Sequence, residues 1–359
     1  MHDPVALAQQ LVRLDTRAGG EKPAAELLAG LLSDAGFQVA LEEPVADRAN
    51  LVARLGERTP ITLTGHLDTV PADAADWSFD PHSGEVVDDR LRGRGSSDMK
   101  GGVAALASAA IRYAFDGGTG VQLVFTFGEE TGCEGARQLD SALLRPSDVL
   151  LVAEPTANRV VLGHKGVTWL RLTARGRSAH GSRPDLGENA LVVLAEAAVR
   201  VHRAGSWPVS PTHGPVTVNV GTFAAGTQPN LVPDHAEMQL DVRTVPEFGS
   251  DDAVRAITEL SGPGIAVERV LDVPGVGSDA ESPAVRRVAD VLQPGWRPEY
   301  ATYFTDASVL KDRLSCHTAL ICGPGEPEQA HTVDESCSAA AIERNAEAVF
   351  RLLVADSGR

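Results

Sequence analysis

Aromatic residues are scarce in this chain: they fill 4% of its 359 positions, against 43% apolar residues overall. Its cores must therefore rest mainly on Val, Leu and Ala, the usage of an ordinary soluble α/β protein. No apolar run is long enough to span a bilayer, which excludes a helical membrane protein. The opening Met1-His2-Asp3-Pro4-Val5 has an early acid and no basic-then-apolar leader, so no secretory signal is expected and the address is cytoplasmic by default. Basic residues are short as well, with 32 Lys and Arg against 49 Asp and Glu, for a net charge of −17. That balance argues against a nucleic-acid partner, since a phosphate backbone would be repelled. The four cysteines, Cys133, Cys316, Cys322 and Cys337, form no CxxC pair and are expected as buried thiols in a reducing compartment. Cys133 lies near a Glu pair and could reach a metal, but core packing is its commoner role. No internal repeat or low-complexity stretch is present.

At this length two domains are expected. The first third alternates helices and strands. Asp3 and Pro4 read as N-cap and first residue of a helix running through Leu11 and Leu14, and a second helix stops at Gly36. Strands are expected at 37–41, 50–55 and 61–64, a helix from Val103 to Tyr113, and buried strands at Val121–Phe127 and Val149–Ala153. From His164 the pattern becomes strand 167–174, helix 188–204, strands 216–224 and 236–244, helix 251–260 and strand 265–271. That β-α-β-β-α-β order is a split βαβ, ferredoxin-like module. The chain then returns to α/β character, with helices at 283–292 and 339–354 and a strand at 319–322. A discontinuous catalytic domain, 1–163 plus 280–359, is therefore expected around an inserted domain at 164–279.

The chemistry-bearing residues follow strands or Gly-rich turns. Ile61–Thr64 leads to His66, Val121–Phe127 to Glu129-Glu130, Val149–Val152 to Glu154, and Ala319–Cys322 through Gly323-Pro324-Gly325 to His331. If these strands run parallel, all of them emerge on one rim of the sheet. His66 and Asp68 are one residue apart, so in extended chain they share a side, and Asp68 can accept the second ring N–H of His66. Glu129 and Glu130 are adjacent and should diverge, one towards a metal and the other towards substrate as a proton shuttle. Asp98, in a Gly-flanked turn lacking the Lys-Ser/Thr of a phosphate loop, is placed to bridge two ions. Any one of these residues alone is ordinarily a surface or packing residue; together and in this order they point to a dinuclear metal site.

In these stretches, Gly65-His66-Leu67-Asp68-Thr69-Val70-Pro71, Gly93 to Gly102, Gly128-Glu129-Glu130-Thr131-Gly132, Glu154-Pro155-Thr156 and Ala330-His331, the chain resembles a zinc-dependent peptidase/deacylase family. That family includes acetylornithine deacetylase, succinyl-diaminopimelate desuccinylase, aminoacylase and glutamate carboxypeptidase. Ser178-Ala179-His180-Gly181 and Pro229-Asn230-Leu231-Val232-Pro233 carry the likeness into the insert. The resemblance implies an α/β zinc-exopeptidase-like catalytic domain with an inserted ferredoxin-like lid and dimerisation domain. It implies His66 and Glu154 on one metal, Glu130 and His331 on the other, and Asp98 between them. Glu129 would be general base and acid, with Asp68 orienting His66. Glu at 154, rather than Asp, is similar to the deacylase and carboxypeptidase branches, whereas Tyr303-Phe304-Thr305-Asp306-Ala307 departs from acetylornithine deacetylase and leaves the substrate open.

Within the insert His180, Asn230 and Arg243 form a second cluster. Arg243 could clamp a substrate carboxylate or sit in a structural ion pair, and Asn230 could bind substrate or shape a turn. Gly325 and Thr305 complete the substrate-binding candidates. In relatives with this insert the histidine matching His180 reaches across a dimer interface to stabilise the oxyanion. The expected protein is a homodimeric two-metal amidohydrolase, with zinc, or alternatively cobalt or manganese, acting on a small N-acyl amine. A metal-dependent dipeptidase or carboxypeptidase, and a non-catalytic metal- or metabolite-binding relative, are the alternatives.

Overall fold

Asp3 accepts hydrogen bonds from the amides of Val5 and Ala6, and Pro4 opens the first turn, so the helix Pro4–Val12 starts where its capping residues direct. It stops short of Leu14. Just beyond it Asp15 accepts from both the amide and the guanidinium of Arg17, and this turns the chain. The computed structural model describes residues 3–17 and 19–356; Met1 and His2, which enter the reading of the chain start, lie outside the described residues.

Ten strands matter for the architecture. In chain order they are β1 (Gln38–Val45), β2 (Arg48–Leu55), β3 (Ile61–His66), β4 (Val121–Thr126), β5 (Val149–Pro155), β6 (Gly166–Arg175), β7 (Thr217–Ala225), β8 (His235–Thr244), β9 (Ile265–Val273) and β10 (Thr318–Gly323). The chain divides into two compact units: Met1–Gly163 with Gly277–Glu299 and Thr305–Arg359, and His164–Val276 with Tyr300–Phe304.

The first unit is built on a six-stranded sheet in the order β1-β2-β4-β3-β5-β10. β1 and β2 pair antiparallel, and so do β2 and β4, but β4, β3, β5 and β10 all run parallel. These parallel strands are buried along their whole length, which is why they read as continuous apolar runs rather than alternating ones. The Ala-rich helix Gly101–Phe115 packs between the helices Pro4–Val12 and Ala339–Asp356. A seven-residue helix, Ala307–Arg313, was not expected; it buries Ala307, Ser308 and Leu310 and is too short to show a helical period.

The second unit runs β6, helix Ala190–Arg203, β7, β8, helix Ser250–Ser261, β9. Its sheet has the order β7-β8-β6-β9 and every neighbouring pair is antiparallel. Alternate residues of β6 (Leu170, Leu172, Ala174) and β8 (Met238, Leu240, Val242) pack against Leu194, Ala197, Ala253 and Ile257 of the helices. This is a ferredoxin-like α+β module, and the mixed α/β class of the whole chain follows from the two units together.

Candidate metal centre

Because β3, β4, β5 and β10 are parallel, their carboxyl ends share one rim, where ligands of open α/β sheets bind. His66 ends β3, Glu129 and Glu130 follow β4, Glu154 lies near the end of β5, and the loop after β10 leads to His331. Asp98 sits in the turn Ser96–Lys100, ahead of the helix Gly101–Phe115, and the Asp98–Met99 peptide is cis.

Asp98 stands between the two imidazoles. Its Oδ1 is 3.2 Å from His66 Nε2 and its Oδ2 is 3.3 Å from His331 Nε2. His331 Nε2 is also 2.9 Å from Glu130 Oε2, and His66 Nε2 is 3.8 Å from Glu154 Oε1. Donor atoms of His66, Glu129 and Glu154 lie within 4.8 Å of one another, as do those of His66, Asp98 and Glu130. The adjacent glutamates thus diverge into different groupings.

The electrostatics are those of a site crowded with buried carboxylates. Burial, followed by the charge of Glu154, pushes the Glu129 carboxyl well above its usual range. Burial does the same to Glu154, and burial plus the charge of Asp98 raises Glu130. Burial works against the Asp98 carboxylate too, but hydrogen bonds with His331 and His66 outweigh it and hold that carboxyl low. Hydrogen bonds to Asp98 and Glu130 lift His331 to about 10. Burial opposes the charge on His66, yet its bonds to Asp68 and Asp98 raise it well above normal. A cation here would stabilise the carboxylates and neutral imidazoles instead. Glu129 Oε1 is buried and has no hydrogen-bond partner, so a carboxyl that burial pushes up is also unsatisfied.

His66 Nδ1 faces both the main-chain oxygen of Asp68, at 3.0 Å, and its carboxylate, with Oδ1 at 3.5 Å. The carboxylate accepts the amides of Glu129 and Glu130, each at 3.1 Å, and so shapes the turn after β4. Thr305 is buried with its hydroxyl accepting the Ala307 amide at 3.1 Å. Gly325 is a close-approach position: a Cβ there would lie 2.1 Å from the Ser97 carbonyl oxygen, beside the Asp98 turn.

His180, Asn230 and Arg243 belong to the second unit. His180 and Asn230 are neighbours, since Gly181 donates to the Asn230 carbonyl at 2.7 Å. The His180 ring is exposed, and its Nδ1 accepts the Ser182 amide at 3.1 Å, which leaves Nε2 to carry the proton of the neutral form. Arg243 is in the structural ion pair: Nε is 2.7 Å from Asp241 Oδ1 and Nη2 is 3.1 Å from Oδ2.

Two buried carboxylates near the centre had no role assigned from sequence. Asp306 is hydrogen-bonded to Thr126 Oγ1 at the end of β4, and burial pushes it up to about 6. Glu335 sits under the Asp98 turn, whose amides it accepts. The signal for Glu335 was the Gly-rich turn itself, whose inward amides need an anion. The four cysteines are all free and buried, and Cys133 is in neither metal-compatible grouping among the described residues.

Residues 62–355 match Peptidase family M20/M25/M40. The chain is 33% identical to an acetylornithine deacetylase of Aliivibrio salmonicida over 324 residues, covering 86% of this chain and 84% of that protein. It is 31% identical to a probable succinyl-diaminopimelate desuccinylase of Staphylococcus epidermidis, covering 93% and 92%. Its fold is shared with a Bacillus subtilis protein described as a dinuclear metal-binding peptidase from the M20 family, at TM-score 0.73 and 13% identity, covering 99% of this chain and 98% of that one. The motif order, the shared rim of carboxylates and histidines, and these matches agree: the chain belongs to peptidase family M20/M25/M40, a family of metal-dependent hydrolases.

Proposed function

We propose that the protein is a two-metal amidohydrolase that removes the N-acyl group from an amino acid or related small amine. One observation carries this reading: Asp98 stands between His66 and His331, with Glu130 and Glu154 beside them. The donor set fits divalent ions, because it combines buried carboxylate oxygens and imidazoles with a buried Glu129 oxygen that has no protein partner. It offers no thiolate and suits zinc, with cobalt or manganese accepted by the same groups.

His66 and Glu154 would hold one ion and Glu130 and His331 the other, with Asp98 serving both. When bound, such a pair supplies an acidified water and polarises the amide carbonyl. Glu129 takes the proton of the attacking water and later delivers it to the leaving nitrogen, a role supported by its buried Oε1, which no protein group engages. Asp68 keeps Glu129 and Glu130 in register by holding their amides.

His180 supplies an N–H to the oxyanion, from a second copy of the chain in a homodimer formed through residues 164–279. Its exposure and its Nε2 proton support that role. Asn230, the neighbour of His180, contacts the substrate in this reading, while the Arg243 guanidinium is held by Asp241. The names of the relatives, deacetylase and desuccinylase, support an acylated amine as substrate. A cytoplasmic setting is supported by four buried, unbridged thiols.

The test is hydrolysis of N-acyl amino acids and dipeptides by chelator-treated protein, before and after zinc or cobalt is added. Metal-restored release of acyl groups is expected. Restored cleavage of dipeptides alone makes the protein a peptidase, and metal binding without turnover across the panel makes it a binding relative.

A further inference from the structure

Glu335 is fully buried and lies four residues beyond His331. Its Oε1 accepts the amides of Ser97 at 2.8 Å and Asp98 at 3.0 Å. Its Oε2 accepts the Gly95 amide at 2.9 Å and Arg94 Nη1 at 2.7 Å. The main-chain oxygen of Glu335 takes the Gly93 amide at 3.0 Å. The Gly-rich turn is therefore an anion nest like those that cradle phosphate, but its anion is a side chain of the same molecule. Gly95, at φ +82°, supplies the left-handed residue that turns its amide inward.

We infer that Glu335 is a positioning residue for the metal pair: it locks the turn carrying Asp98 to the loop carrying His331. The inference rests on the two-metal reading of the site. Asp98 approaches both histidines from a turn whose own φ/ψ values are irregular, so no regular hydrogen-bond ladder fixes its direction. The Glu335 carboxylate replaces that ladder. Each of its oxygens accepts two hydrogen bonds, and charge makes each stronger than a neutral bond. Arg94, itself 4% exposed and held 5.0 Å over the Trp77 ring, is its counter-charge. Glu335 is thus tied to Asp98 through the main chain and to His331 through a short loop. A neutral amide in its place would turn an NH2 group towards amides that are themselves donors. The expected defect is in the shared ligand, and so in holding the second ion.

The experiment uses Glu335→Gln and Glu335→Asp in the full chain. Cobalt(II) is titrated calorimetrically into chelator-treated protein, and magnetic coupling between paired cobalt ions is read by electron paramagnetic resonance. Glu335→Gln is expected to keep the wild-type circular dichroism, bind the second equivalent about 10- to 100-fold more weakly and lose the coupling. Glu335→Asp is expected to recover part of both. Wild-type affinity and coupling in Glu335→Gln overturn the inference, whatever its melting temperature, because a merely structural role would move only stability. If Glu335→Gln does not fold, Arg94→Gln decides: a second equivalent bound at least about threefold more weakly supports the role, and unchanged binding overturns it. Wild-type protein that binds fewer than two ions overturns the two-metal reading and this inference with it. Two ions in the wild type, bound unchanged by Glu335→Gln, overturn the role of Glu335 alone.

Discussion

The Asp68 carboxylate holds the main chain of Glu129: Oδ1 accepts the Glu129 amide at 3.1 Å, and Oδ2 takes the next amide, that of Glu130, at the same distance. A residue just beyond β3 thus sets the turn just beyond β4. Asp68→Asn keeps one acceptor and places an NH2 group against an amide donor. It is expected to retain the fold and lose about 10- to 100-fold in metal affinity or turnover, the usual cost of disturbing groups that orient ligands. Steady-state kinetics beside a metal titration measure this, and wild-type values in both would remove Asp68 from the positioning network.

Glu129→Ala separates proton transfer from metal holding. Metal occupancy is expected to stay nearly intact while turnover falls by at least about 10²-fold, the lower end for loss of a general base. Elemental analysis of the purified variant, paired with its kinetics, reads both. Normal turnover would take Glu129 out of the mechanism.

Removing metal should cost stability, because Asp98, Glu129, Glu130 and Glu154 are then left close together with only imidazolium charge to offset them. An ion bound only by the folded state, at about 100 times its dissociation constant, adds about 2.7 kcal/mol. Chelator is therefore expected to lower the melting temperature, and zinc or cobalt to restore it. A melting curve indifferent to both would argue against ions at this centre.

Gly325→Ala tests the packing beneath the Asp98 turn. The new methyl group would lie 2.1 Å from the Ser97 carbonyl oxygen, and since neither group can rotate away, one loop must shift. A loss of about 1–3 kcal/mol in urea unfolding is expected, as for overpacking elsewhere in protein interiors. Unchanged stability would mean that the loop after β10 yields freely.

Subunit mixing tests His180. His180→Ala and Glu129→Ala proteins, each inactive alone, should regain partial activity when hetero-oligomers form, if the imidazole serves the other copy. Demonstrated hetero-oligomers with no recovery would confine His180 to its own chain.

The strands that deliver the site were legible because buried parallel strands are apolar throughout, and three of the four runs ended close to a His or Glu, the fourth leading to His331 through a Gly-Pro-Gly loop. The ferredoxin-like module was legible from the alternation of β6 and β8, whose inward faces carry Leu170, Leu172, Met238 and Leu240. Contacts between side chains and main chain were not. Nothing in spacing distinguishes a carboxylate that faces an imidazole from one that accepts amides, so the work of the Asp68 carboxylate and of Glu335 emerged only from coordinates. Arg243 was undecided between a substrate clamp and an ion pair for a similar reason. Its partner Asp241, two residues away, is on the same face of β8, but a charged residue in that position could equally have pointed its guanidinium elsewhere.

The parallel sheet also dictates an order of assembly during synthesis. β10 is the outermost strand beside β5, yet it is made after the whole of His164–Val276. A nascent chain emerges amino end first, so Asp98, Glu129, Glu130 and Glu154 exist before His331 and Glu335 do. Until the last fragment arrives, the edge of β5 is unpaired and the carboxylates have His66 but not His331 to offset their charge. In a ribosome-stalled chain ending before residue 318 the centre is thus unfinished, and release of the carboxyl-terminal segment would be the step that brings His331 and Glu335 to it.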